Sequence, residues 1–158
     1  MAKFFSGKDG SLKVKTGSNT LAEIAKLQSW DFSMSMAVIE STSMGDTDRI
    51  LHQGIRSYSG SARAYYYMEG AGGTPSNVKT ILQAAIKEAG TSSDQGEESD
   101  QLTIEMRLED GTTNDRTIQF NCWITSIGMS SSVGEVSSVD FSWEADGAPL
   151  SSSSKLAT

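Results

Sequence analysis

Apolar and polar residues alternate along most of this chain with the period of two that a half-buried β-strand imposes. Trp30, Phe32, Met34 and Met36 alternate with Asp31, Ser33 and Ser35. Tyr58, Gly60, Ala62, Ala64, Tyr66 and Met68 form one face of a second stretch, with Ser59, Ser61, Arg63, Tyr65 and Tyr67 on the other. Three more follow. Leu102, Ile104, Met106 and Leu108 alternate with Thr103, Glu105 and Arg107. Ile118, Phe120, Cys122 and Ile124 alternate with Gln119, Asn121, Trp123 and Thr125, and Val139, Phe141 and Trp143 with Asp140, Ser142 and Glu144. Residues 11–15 read as a short strand. Residues 21–38 read as extended, although Leu21, Ile24, Ala25 and Gln28 also fit about one and a half helical turns.

One segment changes period. Val78, Ile81, Leu82, Ala85 and Ile86 recur at helical spacing and make an apolar stripe. Thr74 suits the N-cap, Pro75 the first helical position, and Gly90 the stop, so a helix is expected over 74–89. Residues 109–115 and 130–135 have turn chemistry. Residues 41–56 show no apolar face and read as a long loop, a kind of connection that usually has a function. Residues 91–100 carry Asp94, Glu97, Glu98 and Asp100 with no base and read as an acidic loop.

About seven strands and one helix predict a mainly β fold, an antiparallel β-sandwich or partly closed barrel with the helix packed on the outside. Residues 1–10 read as an N-terminal arm, 11–150 as the domain, and 151–158, with its serine run, as a flexible tail. At 158 residues the chain is one domain. It buries roughly 70% of the surface its unfolded form exposes, so it needs neither metal nor disulfide to fold. Cys122 is the only cysteine, which excludes an intrachain disulfide. No apolar run is long enough for a signal peptide or a membrane span, and folding in a cytosol without a membrane partner is expected. The net charge of −7 argues against a protein that grips nucleic acid through its phosphates, but not against one that lets nucleic acid pass.

Catalytic chemistry is sparse. His52 and Cys122 cannot make a zinc site, and no G-x-S-x-G elbow or nucleotide-binding glycine pattern is present. Asp46, Asp48, Asp94, Glu97, Glu98 and Asp100 do not follow a calcium loop and read as solvated surface. Cys122 shares a face with Ile118, Phe120 and Ile124 and reads as a small buried hydrophobe. Tyr65, Tyr66, Tyr67, Trp30, Trp123 and Trp143 lack the basic groove that base stacking needs. No catalytic, cofactor or metal residue is assigned.

Four segments in order carry a resemblance: 29–35 (SWDFSMS), 39–49 (IESTSMGDTDR), 54–62 (GIRSYSGSA) and 134–150 (GEVSSVDFSWEADGAPL). Together the chain resembles, over roughly residues 11–150, the major tail tube proteins of long-tailed, siphovirus-like bacteriophages. The resemblance implies a virion structural protein, assembled in the host bacterial cytoplasm. Hexameric rings would stack into a tube, a negatively charged conduit for DNA. It implies a homo-oligomer that also meets tape-measure, terminator and baseplate or tip proteins, and that passes double-stranded DNA without binding it specifically. On that reading Asp31, Ser33, Ser35, Gln119, Asn121, Asp140, Ser142 and Glu144 line the lumen. Arg63, on a neighbouring strand, would pair with one of the acids. Met44, Asp46, Asp48, Arg49, Ile50, Leu51, Ile55 and Arg56 make the inter-subunit or inter-ring loop. A tail terminator, a head–tail connector ring, a secretion-system tube and a carbohydrate-binding β-sandwich remain open alternatives.

Overall fold

The structure, a computed structural model, describes residues 4–24, 26–67, 78–87, 100–109, 111, 115–150 and 155–156. Its strands are β1 (Gly10–Thr16), β2 (Ala22–Glu23), β3 (Leu27–Glu40), β4 (Leu51–Tyr65), β5 (Leu102–Leu108), β6 (Arg116–Ser130) and β7 (Ser138–Ala145). All seven belong to one antiparallel sheet in the order β2-β1-β5-β6-β7-β4-β3. The expected strand content and antiparallel pairing are therefore found, in a single sheet that is not closed. Its two margins approach where Trp30 meets Gly10. A Cβ at residue 10 would lie 3.0 Å from the indole Nε1, so glycine permits that approach.

The core lies on the apolar face of the sheet. Leu12 and Val14, then Leu102, Ile104 and Met106, Phe120 and Cys122, Val139, Phe141 and Trp143, and Ala64 are nearly fully buried there. Phe120 makes tilted contacts with Phe32, Tyr58 and Trp143 at centroid distances of 5.6, 5.1 and 5.6 Å, which joins β3, β4 and β7 through β6. The helix α1 (Val78–Ala85) lays Val78 and Ile81 into this core and packs on β6 and β1. The expected helix spans 74–89; its cap and stop, Thr74, Pro75 and Gly90, lie outside the described residues, as does most of the acidic loop 91–100. The buried stripe is narrower than the sequence implies, because Ala85 and Ile86 are exposed.

β6 is bent. Its first half pairs with β5, from Arg116 to Cys122, and its second half with β7, from Cys122 to Ser130. A bulge between Ile124 and Ser126 marks the change. β5 is thus left behind at Cys122, and the second half of β6 forms a four-stranded section with β7, β4 and β3.

Two expectations need correction. The long loop 41–56 is shorter, because β3 runs to Glu40 and β4 starts at Leu51, so only 41–50 connects them. The reason is physical: beyond Tyr58, β3 and β4 form a two-stranded ribbon with no third strand, and the register shifts between Met36 and Val38. With neither face buried, residues 51–56 carry no alternation to read. His52, expected on a loop, accordingly sits in β4 opposite Ile39. The second correction concerns Met34 and Met36. Alternation places them with the half-buried Trp30 and Phe32, which pack against the core, but they lie on the ribbon and are exposed.

Candidate assembly surfaces: a hydroxyl-rich sheet face and a projecting hairpin

Directly opposed residues in an antiparallel ladder share a face. Register alone therefore assembles one polar surface. Asp31 opposes Ser61, which opposes Ser142, which opposes Ser126. Ser33 opposes Ser59, then Glu144, then Trp123. Arg63 opposes Asp140, then Gly128. Asp31, Ser33, Ser35, Asp140, Ser142 and Glu144 thus lie together on one side of β3, β4 and β7, the side away from the core.

The hydroxyls are paired across strands. Asp31 accepts from the Ser61 amide at 3.1 Å and from its Oγ at 2.8 Å. Ser35 Oγ meets Ser57 Oγ at 2.7 Å, and Ser33 meets Ser59 at 3.3 Å. The Arg63 guanidinium lies 3.5 Å from Asp140 and also donates to Ser138 Oγ at 3.1 Å. Such rows fix side chains that would otherwise wander and leave a hydrophilic, net acidic surface.

Gln119 and Asn121 share this face but not its openness. Gln119 is only 6% exposed and donates to Glu105 Oε2 at 2.8 Å. Asn121 is half-buried and accepts from Thr103 at 3.0 Å. Arg107 closes the group, with contacts of 2.9 Å to Glu105 and 3.3 Å to Asp115. The chain after β7 runs along the same half of β6: Asp146, Leu150 and Lys155 donate backbone N–H groups to the carbonyls of Asn121, Gln119 and Thr117 at 2.7, 2.9 and 2.7 Å. Of the expected flexible tail, only 155–156 are described, and Lys155 is held there.

The second surface is the ribbon. Met34, Met36, Val38, Ile39, Met44, Ile50, Leu51 and Ile55 are all exposed, Ile55 by 85%. The turn at its tip is well made. Ser43 donates its amide and hydroxyl to Asp46 Oδ2 at 2.7 and 2.8 Å, Gly45 takes a left-handed φ of 104°, and Arg49 bridges to Glu40 at 3.0 Å. The Ser43 donors hold the Asp46 carboxyl below its ordinary pKa. Asp46, Asp48, Arg49 and Arg56 are exposed beside the apolar set, and Arg56 opposes Met36. A well-formed ribbon with bare apolar side chains is unusual, since an isolated two-stranded hairpin is marginal in water.

Several members of these surfaces are absent from the sequence assignment. Ser57, Ser59, Ser61 and Ser126 belong to the polar face, and the alternating serines of β4 were the signal. Met34, Met36, Val38 and Ile39 belong to the ribbon, as do Met129, Val133 and Val136 to a second exposed apolar tip between β6 and β7. Among the described residues no group of three or more His, Cys, Asp or Glu side chains could hold a metal ion. None of the described helices is long and apolar enough to cross a membrane.

The described geometry is that of a tail-tube protein fold, and solved structures share it. A chain in the tail of an empty gene transfer agent particle, refined helically with C6 symmetry, superposes with a TM-score of 0.63 at 20% identity, over 92% of this chain and 96% of that one. The tail tube of phage SPP1 superposes with a TM-score of 0.66 at 16% identity, over 90% of this chain and 76% of that one. A chain of the sheath–tube complex of an extracellular contractile injection system gives 0.56 at 17% identity, over 86% and 84%. No protein-family profile and no curated protein sequence matches the chain.

Proposed function

We propose that copies of this chain build a tube: rings, six copies each, stacked along an axis around a shared bore that conducts DNA in a virion tail. The observation that carries this reading is the ribbon. Eight exposed apolar side chains on a two-stranded projection need a partner surface, and a rotational, head-to-tail contact between identical copies supplies one without limit along an axis. The polar face supports the bore. Hydroxyls tied in rows, with Asp31, Asp140 and Glu144 outnumbering Arg63, repel phosphate and offer no basic patch to hold it. The C6 symmetry of the gene transfer agent tail supports six copies per ring. Tape-measure, terminator and tip proteins would meet the tube inside and at its ends.

The test is a concentration series of the purified chain followed by sedimentation and negative-stain microscopy. Hollow filaments support the tube. Single rings point instead to a terminator or connector, and a monomer at every concentration removes the reading.

A further inference from the structure

Sulfur is distributed against the usual pattern in this chain. Methionine is among the residues most often fully buried. Of the five methionines among the described residues, Met106 alone is in the core, at 1% exposure, while Met34, Met36, Met44 and Met129 are each 41% exposed or more. The four are not scattered. Met34 and Met36 stand two residues apart on one face of β3, opposite Tyr58 and Arg56 of β4. Met44 lies in the turn at the tip of the same ribbon. Met129 stands near the end of β6, beside the second apolar tip.

We propose that Met34, Met36, Met44 and Met129 are modification sites, at which hydrogen peroxide converts the free subunit into a sulfoxide form that does not assemble and that reduction restores. This rests on the tube reading and adds to it a chemical switch carried by the exposed apolar surfaces.

Peroxide alone balances the step. A lone pair of the thioether sulfur attacks one peroxide oxygen, the O–O bond breaks, and the second oxygen leaves as water. The sulfur is oxidised by two electrons and the peroxide is reduced. The product is polar where the thioether was apolar. On the free subunit each sulfoxide meets water, so the fold itself has nothing new to bury. Against a neighbouring copy it would lose that water, and an unpaired polar group weakens the contact that holds it. Three of the four sulfurs share one ribbon, so a single contact surface takes several hits at once. Methionine also makes the change reversible. Leucine or isoleucine would cover the same area without reacting, whereas a sulfoxide is reduced by two thiols, its oxygen leaving as water and the thiols joining as a disulfide. Cys122 does not intercept the oxidant. It is fully buried, and burial pushes its thiol up to about 12, which leaves almost none of the thiolate that peroxide attacks.

Peroxide titration of unassembled subunits, read by peptide mass spectrometry and sedimentation, tests the switch. Met34, Met36, Met44 and Met129 should each gain one oxygen while Met106 stays unmodified. The concentration needed for assembly should rise about tenfold or more, the scale on which one polar group left unpaired acts. The two epimer-specific methionine sulfoxide reductases, supplied with dithiothreitol, should bring it back. Tubes formed before the same dose should stay standing, with Met34 and Met36 protected. The variant M34L/M36L/M44L/M129L, compared only with itself, should keep its own threshold before and after peroxide. Four results overturn the proposal: an unchanged threshold for oxidised subunits, oxidation of Met106 as fast as of the other four, tubes whose Met34 and Met36 oxidise as fast as in free subunits, or a leucine variant whose threshold rises with peroxide as far as that of the natural chain. An untreated chain that forms no tubes at any concentration fails the tube reading, and the switch with it.

Discussion

Gly60 of β4 and Trp143 of β7 lie directly opposite each other, and the indole fills the space where a Cβ on residue 60 would stand. That atom would come within 2.5 Å of Trp143 Cζ2 and 2.5 Å of the Asp31 carbonyl oxygen. One contact is the largest buried side chain and the other is backbone, so neither yields easily. The polar face depends on this packing, because the same three strands carry Asp31, Ser61 and Ser142 on their reverse side. Gly60→Ala is expected to destabilise the fold by about 1–3 kcal/mol, the usual cost of overpacking a core. Urea denaturation followed by tryptophan fluorescence measures it.

The ribbon separates folding from assembly. Met36 and Ile55 touch little within the chain, so Met36→Ser with Ile55→Ser is expected to change the stability of the single subunit by less than about 0.5 kcal/mol per site. Burying either against a neighbour is worth about 1.5–3 kcal/mol. The concentration needed for assembly should therefore rise at least about tenfold. Sedimentation across a dilution series reads that shift, and an unchanged threshold would place the interface elsewhere.

Charge on the hydroxyl face is the next expectation. Asp31→Lys, Asp140→Lys and Glu144→Lys together should leave tubes standing, because the three carboxylates are at the surface. Retention of linear duplex DNA by the tubes should appear at low salt and fade as salt rises, as phosphate contacts do. Wild-type tubes should retain none. Filter binding across a salt series compares the two.

Cys122 reports on the core. Burial pushes its thiol pKa from 9.0 up to about 12, so the folded chain holds it neutral. The stability linked to it is fully present below pH 9.0, the unfolded value, and is lost as pH rises toward 12. Iodoacetamide at pH 8 should leave the folded protein unlabelled and modify it once urea unfolds it. Mass spectrometry of the two samples decides the matter.

The parts of the fold legible in the sequence are those where one face of a strand is apolar and meets the core and the other is polar. β5, β7 and the first half of β6 have that contrast, and their alternation places each residue on its observed face, although Thr103, Glu105, Thr117 and Gln119 on the polar side are themselves buried. The ribbon lacks it. Met34 and Met36 repeat the period of Trp30 and Phe32 while sitting past the end of β7, and no local pattern distinguishes a residue buried in its own core from one awaiting a partner. Gln119 fails for a related reason. Alternation gives its face correctly, but the chain after β7, running beside that half of β6, and the Glu105–Arg107–Asp115 group that encloses it come from distant segments. Arg63 was legible as a partner for an acid, since a lone cation among Asp31, Asp140 and Glu144 has few other places to go.

A helical reconstruction of the assembled chain by cryo-electron microscopy measures the central claim most directly. The account predicts a hollow tube in which Asp31, Ser33, Asp140 and Glu144 face the bore, α1 lies on the outside, and the ribbon tip touches the next ring. A chain that never assembles, or a tube whose bore is lined by α1, would contradict it.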